Sequence, residues 1–217
     1  MALVCGVDEA GRGPLLGPLV IAGVVADERV LDKLKSLGVK DSKLLTPKKR
    51  EELFEQVKSI VESYEIIIVP PQEIDDALNS ESLNLNWLEA IKTAMIINKL
   101  DAKKAYIDSP STNLKAYADY MRIYVKDKDV NLICEHKADV KYVVVSAASI
   151  LAKVTRDREI EKLSKRYGEL GSGYPSDPVT KEFLKNNWDK HPEIFRKTWS
   201  SYKVYSGKEK NATLGSF

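Results

Sequence analysis

The chain opens with Val4-Cys5-Gly6-Val7-Asp8-Glu9-Ala10-Gly11-Arg12-Gly13-Pro14, an apolar strand that leads through two carboxylates into a glycine-rich turn. Alternation along a strand would place Asp8 and Glu9 on opposite faces of a sheet unless the strand ends there, and the turn favours such an ending. Gly11 and Gly13 permit backbone angles that other residues avoid, and Arg12 adds a fork of donors. The pattern is typical of a functional site, although a plain surface turn with solvent-facing acids would share it.

The elements that follow predict an α/β fold. Strands at residues 3–8 and 18–26 flank the turn like a hairpin, and further strands are expected at 64–69, 104–108 and 131–135. Helices are expected at 46–63, at 82–100, at 114–121, at 178–187 behind the Asp177-Pro178 cap, and over a long span that begins just after Asp139. Five strands with helices between the later ones make one compact core.

Composition sets the broad class. The 217 residues, 43% of them hydrophobic, suffice for one substantial core. The net charge of +2 hides an uneven distribution, since residues 1–150 carry 20 Lys+Arg and 23 Asp+Glu whereas residues 151–217 carry 14 and 9. A basic last third suits a polyanion, although charge runs are often only solvated helix faces. Cys5 and Cys134 lie in separate apolar stretches, which favours reduced thiols in an intracellular protein.

Acidic residues end strands or begin helices at three separate places, Asp8-Glu9, Asp108 and Asp139. Hard divalent cations prefer oxygen ligands, and carboxylates gathered without a cation would repel one another. Two such ions can activate a water and stabilise the leaving oxygen of a phosphodiester. The pattern therefore favours metal-assisted phosphodiester chemistry.

Other chemistries find no support in the sequence. His136 and His191 are the only histidines, and neither has zinc-ligand spacing. The chain contains no nucleophile elbow, no phosphate-binding P-loop and no dinucleotide turn, which leaves acyl transfer, nucleotide hydrolysis and hydride transfer unsupported. No signal peptide pattern and no apolar run of membrane-spanning length is found.

Several blocks, in this order, resemble the ribonuclease HII family of the archaeal kind. They are V-D-E-A-G-R-G-P-L-L-G-P at 7–18, K-D-S-K-L-L-T at 40–46, Y-I-D-S-P at 106–110, E-H-K-A-D-V-K-Y at 135–142, V-S-A-A-S-I-L-A-K-V-T-R-D at 145–157 and G-S-G-Y-P-S-D-P at 171–178. Because these motifs are unrelated to one another, the resemblance does not depend on any single one.

The resemblance implies a ribonuclease H-like catalytic domain over residues 1–170, with a mixed five-stranded sheet flanked by helices, and a C-terminal helical extension over 171–217 that helps to hold the duplex. It implies an endoribonuclease that uses Mg²⁺ or Mn²⁺. We expect the protein to be monomeric and cytoplasmic. Such an enzyme cleaves the RNA strand of RNA/DNA hybrids and cuts 5′ of a ribonucleotide embedded in DNA, leaving 3′-hydroxyl and 5′-phosphate ends.

The resemblance also assigns roles to residues. The catalytic, metal-binding acids would be Asp8, Glu9, Asp108 and Asp139, with Glu135 and Asp157 as alternatives to Asp139. The 2′-hydroxyl would be read by Gly11, Arg12, Gly13 and Tyr174, and the phosphates would be contacted by Lys43, Ser149 and Lys153. A separate hypothesis from the sequence is a short sliding-clamp peptide near Leu214 to Phe217.

Two other functions remain open from the sequence. One is a structure-specific DNA nuclease with the same fold and metals, which would not require a 2′-hydroxyl. The other is a non-catalytic module that binds hybrids through its basic last third, and its binding would be sensitive to salt.

Overall fold

The computed structural model describes residues 3–39 and 45–207. Within them lies a five-stranded sheet with the strand order β3-β2-β1-β4-β5. The strands are β1 (Leu3–Ala10), β2 (Leu19–Asp27), β3 (Ser63–Val69), β4 (Lys104–Asp108) and β5 (Asn131–Glu135). β1 pairs antiparallel with β2 and parallel with β4, and β4 pairs parallel with β5. The predicted mixed sheet of five strands is confirmed.

Helices lie between and after these strands along the chain. They are α1 (Leu31–Ser36), α2 (Pro47–Ile60), α3 (Pro71–Asn79), α4 (Leu85–Leu100), α5 (Leu114–Tyr124), α6 (Ala138–Lys141), α7 (Val143–Tyr167), α8 (Pro178–Asn187) and α9 (Ser200–Tyr205). Asp177 caps α8 as predicted, since its side chain accepts a hydrogen bond from the Val179 N–H. No helix of the described ranges is long and apolar enough to cross a membrane.

Two expectations about these elements are wrong. The helix predicted to begin just after Asp139 is two helices, because the extended backbone of Tyr142 (φ −114°, ψ 116°) separates α6 from α7 and Asp139 lies inside α6. Helix α3 is not among the helices predicted from the sequence, which left residues 70–81 without an element. Pro71 occupies the first turn of α3. N–H groups in the first turn of a helix have no acceptor within the helix, so proline, which has no N–H, fits there.

The chain forms two compact units, and the first holds the sheet. It comprises the chain up to Ala10 together with Val20–Ile68 and Leu85–Thr155. β1 runs two residues beyond its expected end, since Ala10 still pairs with Val20. The even-numbered residues of β1 lie on the face of the sheet where Val4 shares a core with α2 and α7. Asp8 therefore belongs to the α7 face of the sheet, and alternation places Glu9 on the opposite face.

Of the described residues, the second unit comprises Gly11–Leu19, Val69–Asn84 and 156–207. Its core joins residues that are far apart in the sequence: Leu15, Leu16, Ile160, Leu170, Phe183, Leu184, Ile194, Phe195 and Tyr202. An isolated antiparallel bridge between Leu16 and Phe195 is part of it. The C-terminal helical extension contains α8 and α9 as expected, and the predicted domain boundary after residue 170 stays a prediction.

Gly6 allows α7 to lie directly against β1. A Cβ atom at Gly6 would be 2.4 Å from the carbonyl carbon of Val144 and 2.5 Å from the backbone nitrogen of Val145. Both neighbours are main-chain atoms in the first turn of α7, so neither can rotate away. Any side chain at this position must push the helix from the strand.

We expect Gly6→Ala to lower the free energy of unfolding by about 2 kcal/mol or more, because overpacking against backbone requires a main-chain shift. Gly168→Ala is the matched control. Gly168 has a φ of +94° and no atom within 4 Å of an added Cβ, so its substitution tests backbone strain alone. Urea unfolding of both variants measures the difference, and a Gly6→Ala protein as stable as the control would contradict this account of the contact.

Candidate active site

β1 and β4 bring Asp8 and Asp108 side by side. The register of this parallel pair places Val7 opposite Ile107, and the two aspartates are the next residues on their strands. Paired residues of parallel strands project to the same face of a sheet. Asp8 is only 5% exposed, and Asp108 ends β4 with a partly exposed side chain. Two carboxylates therefore converge at one end of the strand pair.

Helix α6 adds Asp139 to this pair. The N–H of Ala138 donates to Oδ1 of Asp108 over 2.9 Å, so the end of β4 is hydrogen-bonded to the start of α6. Asp139 is the next residue and is 7% exposed. The Ser146 hydroxyl on α7 donates to the main-chain carbonyl of Asp139, so α6 is hydrogen-bonded to α7 as well as to β4. We call Asp8, Asp108 and Asp139 the carboxylate cluster.

The charges of Asp108 and Asp139 act on Asp8. The pKa of Asp8 is raised to about 7, chiefly because burial penalises its charged form, and the charges of Asp108 and Asp139 act in the same direction. Hydrogen bonds from the Ser149 hydroxyl and from the N–H of Glu9, at 2.7 Å, favour the ionised form and limit this rise. Burial and repulsion outweigh these hydrogen bonds in the metal-free protein.

Glu9 differs from the other three acids in its surroundings. Burial raises the pKa of Tyr117 on α5 well above its usual range, and the charge of Glu9 contributes to this rise. The Glu9 side chain therefore acts on the α5 side of the sheet, as alternation along β1 requires. The structure gathers three of the four predicted acids, and the role of Glu9 as a metal ligand stays a prediction.

Glu135 is already engaged elsewhere. The hydroxyl of Tyr142 donates to its Oε1 over 2.8 Å, and the ammonium group of Lys141 binds its Oε2. The Lys141 hydrogen bond is the largest cause of the lowered pKa of Glu135. The other alternative, Asp157, belongs to the second unit. The charge of Asp139 acts on Asp8.

The donor set fits a hard divalent cation. In the described part of the chain, no three His, Cys, Asp or Glu side chains form a ready-made metal cage. Mg²⁺ does not need one, because it usually binds to one or two carboxylates and completes its coordination with water and substrate phosphate. A cation beside Asp8, Asp108 and Asp139 would stabilise their ionised forms and lower the pKa of Asp8.

The predicted phosphate contacts lie in two places. Ser149 and Lys153 are one turn apart on α7 and so share a face of that helix. The Ser149 hydroxyl is hydrogen-bonded to Asp8. Lys43 lies outside the described residues.

In the second unit, Arg196 holds residues 11–17, which we call the glycine loop. This loop contains Gly11, Arg12 and Gly13, which are predicted to read the ribose. Arg196 is 0% exposed. Its guanidinium donates to the carbonyl oxygens of Gly11 (2.5 Å), Arg12 (2.7 Å) and Gly17 (3.1 Å from Nη2). Gly11 has a φ of +85°, and an added Cβ would lie 2.7 Å from the Pro18 carbonyl oxygen. The conformation of this loop therefore requires both glycine at position 11 and the buried cation.

Tyr174 lies beside the glycine loop. An added Cβ on Gly13 would lie 3.4 Å from its ring, and the N–H of Leu15 donates to the Gly173 carbonyl over 2.8 Å. Arg156 is hydrogen-bonded to the segment that carries Tyr174, since its Nη2 donates to the Ser172 carbonyl over 2.6 Å. The structure thus brings Gly11, Arg12, Gly13 and Tyr174 together. The Tyr174 ring is 42% exposed and is available to a ligand.

The sequence analysis missed Arg156 and Arg196. Both are buried, at 4% and 0% exposure, although they occur in the basic last third of the chain. Their neighbours in the sequence, Asp157 and Lys197, make each look like part of a solvated charge run. No spacing or periodicity distinguishes them, so only the fold identifies them as structural cations.

Solved structures define the class of this protein. Ribonuclease H2 from Pyrococcus horikoshii OT3 superimposes with a TM-score of 0.87 at 46% identity, over 96% of this chain and 99% of that one. The ribonuclease HII in the PCNA:RNase HII complex from Archaeoglobus fulgidus gives 0.81 at 40% identity, over 91% and 95%. The fold is that of a ribonuclease H-like enzyme.

Sequence comparison identifies the family. The chain matches the family model described as ribonuclease HII over residues 5–202. Ribonuclease HII from Pyrococcus furiosus is 48% identical over 221 residues, which cover 98% of this chain and 96% of that protein. The chain belongs to the ribonuclease HII family. The predictions of an endoribonuclease and of a divalent metal cofactor are confirmed at the level of the family.

We expect Asp8→Asn to stabilise the metal-free protein in a pH-dependent way. Because the pKa of Asp8 is raised to about 7 in the folded state, the wild type loses stability as pH rises from about 4 to about 7 and no further above that. The stability of Asp8→Asn does not decrease in this way, because asparagine does not titrate. The variant's advantage should therefore grow across that window to on the order of 4 kcal/mol, at about 1.4 kcal/mol for each unit of pKa shift.

The measurement is urea unfolding in chelator over this pH range. Asp119→Asn is the matched control, since Asp119 is an exposed aspartate paired with Lys115 at 2.6 Å. Added Mg²⁺ should stabilise the wild type and not Asp8→Asn. A stability difference between wild type and Asp8→Asn that is constant with pH would show that Asp8 titrates normally.

Proposed function

We propose that this protein hydrolyses the RNA strand of RNA/DNA hybrids and cuts 5′ of single ribonucleotides in duplex DNA, leaving 3′-hydroxyl and 5′-phosphate ends. The observation that carries the proposal is the carboxylate cluster, in which Asp8, Asp108 and Asp139 converge and the pKa of Asp8 is raised to about 7. Membership of the ribonuclease HII family supports the reaction class.

In this proposal the acids bind two divalent cations, Mg²⁺ or Mn²⁺. Asp8 and Asp108, from adjacent strands, would supply ligands together with Asp139, and Glu9 would supply the fourth. Bound cations supply an activated water and charge stabilisation at the leaving oxygen. The hydrogen bonds from Ser149 and from the Glu9 N–H hold Asp8 in one orientation, and the Ala138 N–H does the same for Asp108.

The glycine loop and Tyr174 would select the ribonucleotide. Gly11 and Gly13 carry no side chain, so main-chain groups there can come within hydrogen-bond distance of a 2′-hydroxyl, which DNA lacks. Arg12, between them, contributes a further donor. The exposed ring of Tyr174, held against Gly13, offers a flat surface to the neighbouring sugar. This division of roles assigns specificity to the loop and hydrolysis to the carboxylate cluster.

Phosphate binding is assigned to Lys43, Ser149 and Lys153, together with the basic last third of the chain. Ser149 has a limit in this role. A serine hydroxyl has one proton, and when it donates that proton to ionised Asp8 it cannot also donate to a phosphate oxygen. Lys153, one turn further along α7, has an ammonium group with three donors.

The competing functions have less support. A structure-specific DNA nuclease would need no ribose-reading loop, and a non-catalytic module would not need buried carboxylates that repel one another. We infer a cytoplasmic location from the substrate class and from the two free cysteines, Cys5 and Cys134. The monomeric state stays a prediction.

With Mg²⁺, the protein should cut a duplex that carries one ribonucleotide and leave the all-DNA duplex of the same sequence intact. Asp8→Asn and Asp108→Asn should each lower kcat/KM by about a thousandfold or more, because each removes a charge that holds a cation. Substrate Kd should change only a few-fold, as measured by fluorescence anisotropy in Ca²⁺ or chelator. Asp119→Asn is the control and should cut like the wild type.

Equal cleavage of both duplexes would remove the 2′-hydroxyl from the mechanism and favour the DNA nuclease. Binding without any metal-dependent product would favour the non-catalytic module. Full activity of Asp8→Asn at ordinary metal concentration would exclude Asp8 as a ligand.

A sliding clamp is the proposed protein partner. The relative from Archaeoglobus fulgidus was solved as a PCNA:RNase HII complex. The peptide predicted for this contact, near Leu214 to Phe217, lies outside the described residues, and its role rests on the sequence alone.

Deletion of residues 208–217 should abolish binding to the clamp of the source organism while leaving hydrolysis of short duplexes unchanged. The reason is that the deleted residues include none of the proposed catalytic or ribose-reading side chains. Surface plasmon resonance measures the first effect and steady-state kinetics the second. Undiminished clamp binding by the truncated protein would place the contact elsewhere.

A further inference from the structure

Arg196 is held by main-chain carbonyls. Its side chain is fully buried, and its donors reach the carbonyl oxygens of Gly11, Arg12 and Gly17 at 2.5 to 3.2 Å. A guanidinium presents five N–H donors in a rigid plane and suits several acceptors at once, whereas a lysine ammonium is a point charge on a flexible stem. The acceptor set of the glycine loop therefore requires arginine specifically.

Trp199 extends this arrangement to the third residue of the turn. Its indole N–H donates to the Gly13 carbonyl over 3.2 Å, and its ring lies 5.0 Å from the guanidinium carbon of Arg196. The carbonyls of Gly11, Arg12 and Gly13 are thus all engaged by two neighbouring side chains of the C-terminal extension. A turn with its successive carbonyls fixed in this way has its peptide planes fixed as well.

The segment that carries Arg196 is itself anchored on its other side. Asp75 on α3 is 2% exposed, and it accepts hydrogen bonds from the N–H groups of Lys197 (2.8 Å) and Thr198 (3.0 Å). The Thr198 hydroxyl donates to the same carboxylate over 2.7 Å. The Arg196 N–H donates to the Leu15 carbonyl over 2.8 Å. Three separate stretches of the chain therefore determine where the guanidinium lies.

We propose that Arg196 is a positioning residue for ribose recognition: it sets the peptide planes of the glycine loop so that the loop can read a 2′-hydroxyl. The inference rests on the proposed function of that loop. Arg196 touches neither substrate nor metal in this scheme and acts only through the main chain of residues 11–17. Asp75 and Trp199 support it by fixing the segment and the last carbonyl of the turn.

The test compares Arg196→Ala and Arg196→Lys with Arg122→Ala. Arg122 on α5 is the matched control, because its guanidinium also donates to main-chain carbonyls, those of Lys128 (3.0 Å) and Val130 (2.5 Å), and it has no proposed role in the reaction. Asp75→Asn serves as a second perturbation. It loosens the segment around Arg196 without changing the loop or the arginine, and it stays informative if Arg196→Ala does not fold.

Three readouts separate positioning from general destabilisation. We expect kcat/KM on the single-ribonucleotide duplex to fall at least about tenfold in both Arg196 variants and by less in Asp75→Asn, since small misplacements of positioning groups have effects of this size. The Mn²⁺ concentration that half-maximally stabilises the protein should stay that of the wild type. Millimolar methylguanidinium should restore part of the activity of Arg196→Ala and none of that of Arg196→Lys, whose side chain fills the space.

Amide hydrogen exchange provides a readout that does not depend on catalysis. Exchange of residues 11–17 should accelerate in the Arg196 variants while β1 and α7 keep wild-type protection. If the wild type cuts the all-DNA duplex equally well, the proposed function fails even where the exchange result holds. If the wild type is selective but folded Arg196→Lys and Asp75→Asn keep its kcat/KM and selectivity, the inference about Arg196 is wrong. A loss of equal size in Arg122→Ala would also overturn it.

Discussion

The burial of Asp8 beside other carboxylates is the constraint around which the first unit is arranged. Asp8 and Asp108 end adjacent parallel strands, and α6 places Asp139 beside them. Gly6 lets α7 lie against β1, which brings Ser149 to Asp8. The surrounding hydrogen bonds orient the acids and lower the free energy of their charged forms only in part. The remaining repulsion makes a divalent cation the natural partner of this site.

The second unit also places a cation among oxygen atoms, but this cation is a side chain and is permanent. The carbonyls of Gly11, Arg12 and Gly17 point toward a single buried guanidinium, that of Arg196. A metal ion at the carboxylate cluster can exchange and can bind substrate phosphate, whereas an arginine side chain cannot leave. In this account the exchangeable cations serve hydrolysis, and the fixed cation serves the shape of the loop that recognises ribose.

The sequence predicted the strands better than the connections between helices. β4 and β5 have their predicted bounds because each is a short, mostly apolar run that begins and ends at a polar residue. The break at Tyr142 was missed because Val143 to Val145 and the alanines after them form one apolar run, and the break depends on tertiary hydrogen bonds such as that from Ala138 to Asp108. Asp8, Asp108 and Asp139 were found because acids at strand ends carry a local signal. Arg196 was missed because its carbonyl partners lie about 180 residues earlier in the chain.

The carboxyl carbon of Asp8, followed by NMR during a pH titration of selectively ¹³C-labelled protein, tests the central claim most directly. In chelator the carboxyl should titrate near the value of about 7 set by burial and by its acidic neighbours. In saturating Mg²⁺ the account predicts that it stays ionised to a pH well below this, because the cation stabilises its charge. The same titration midpoint with and without Mg²⁺ would contradict the account, since Asp8 would then not bind the cation.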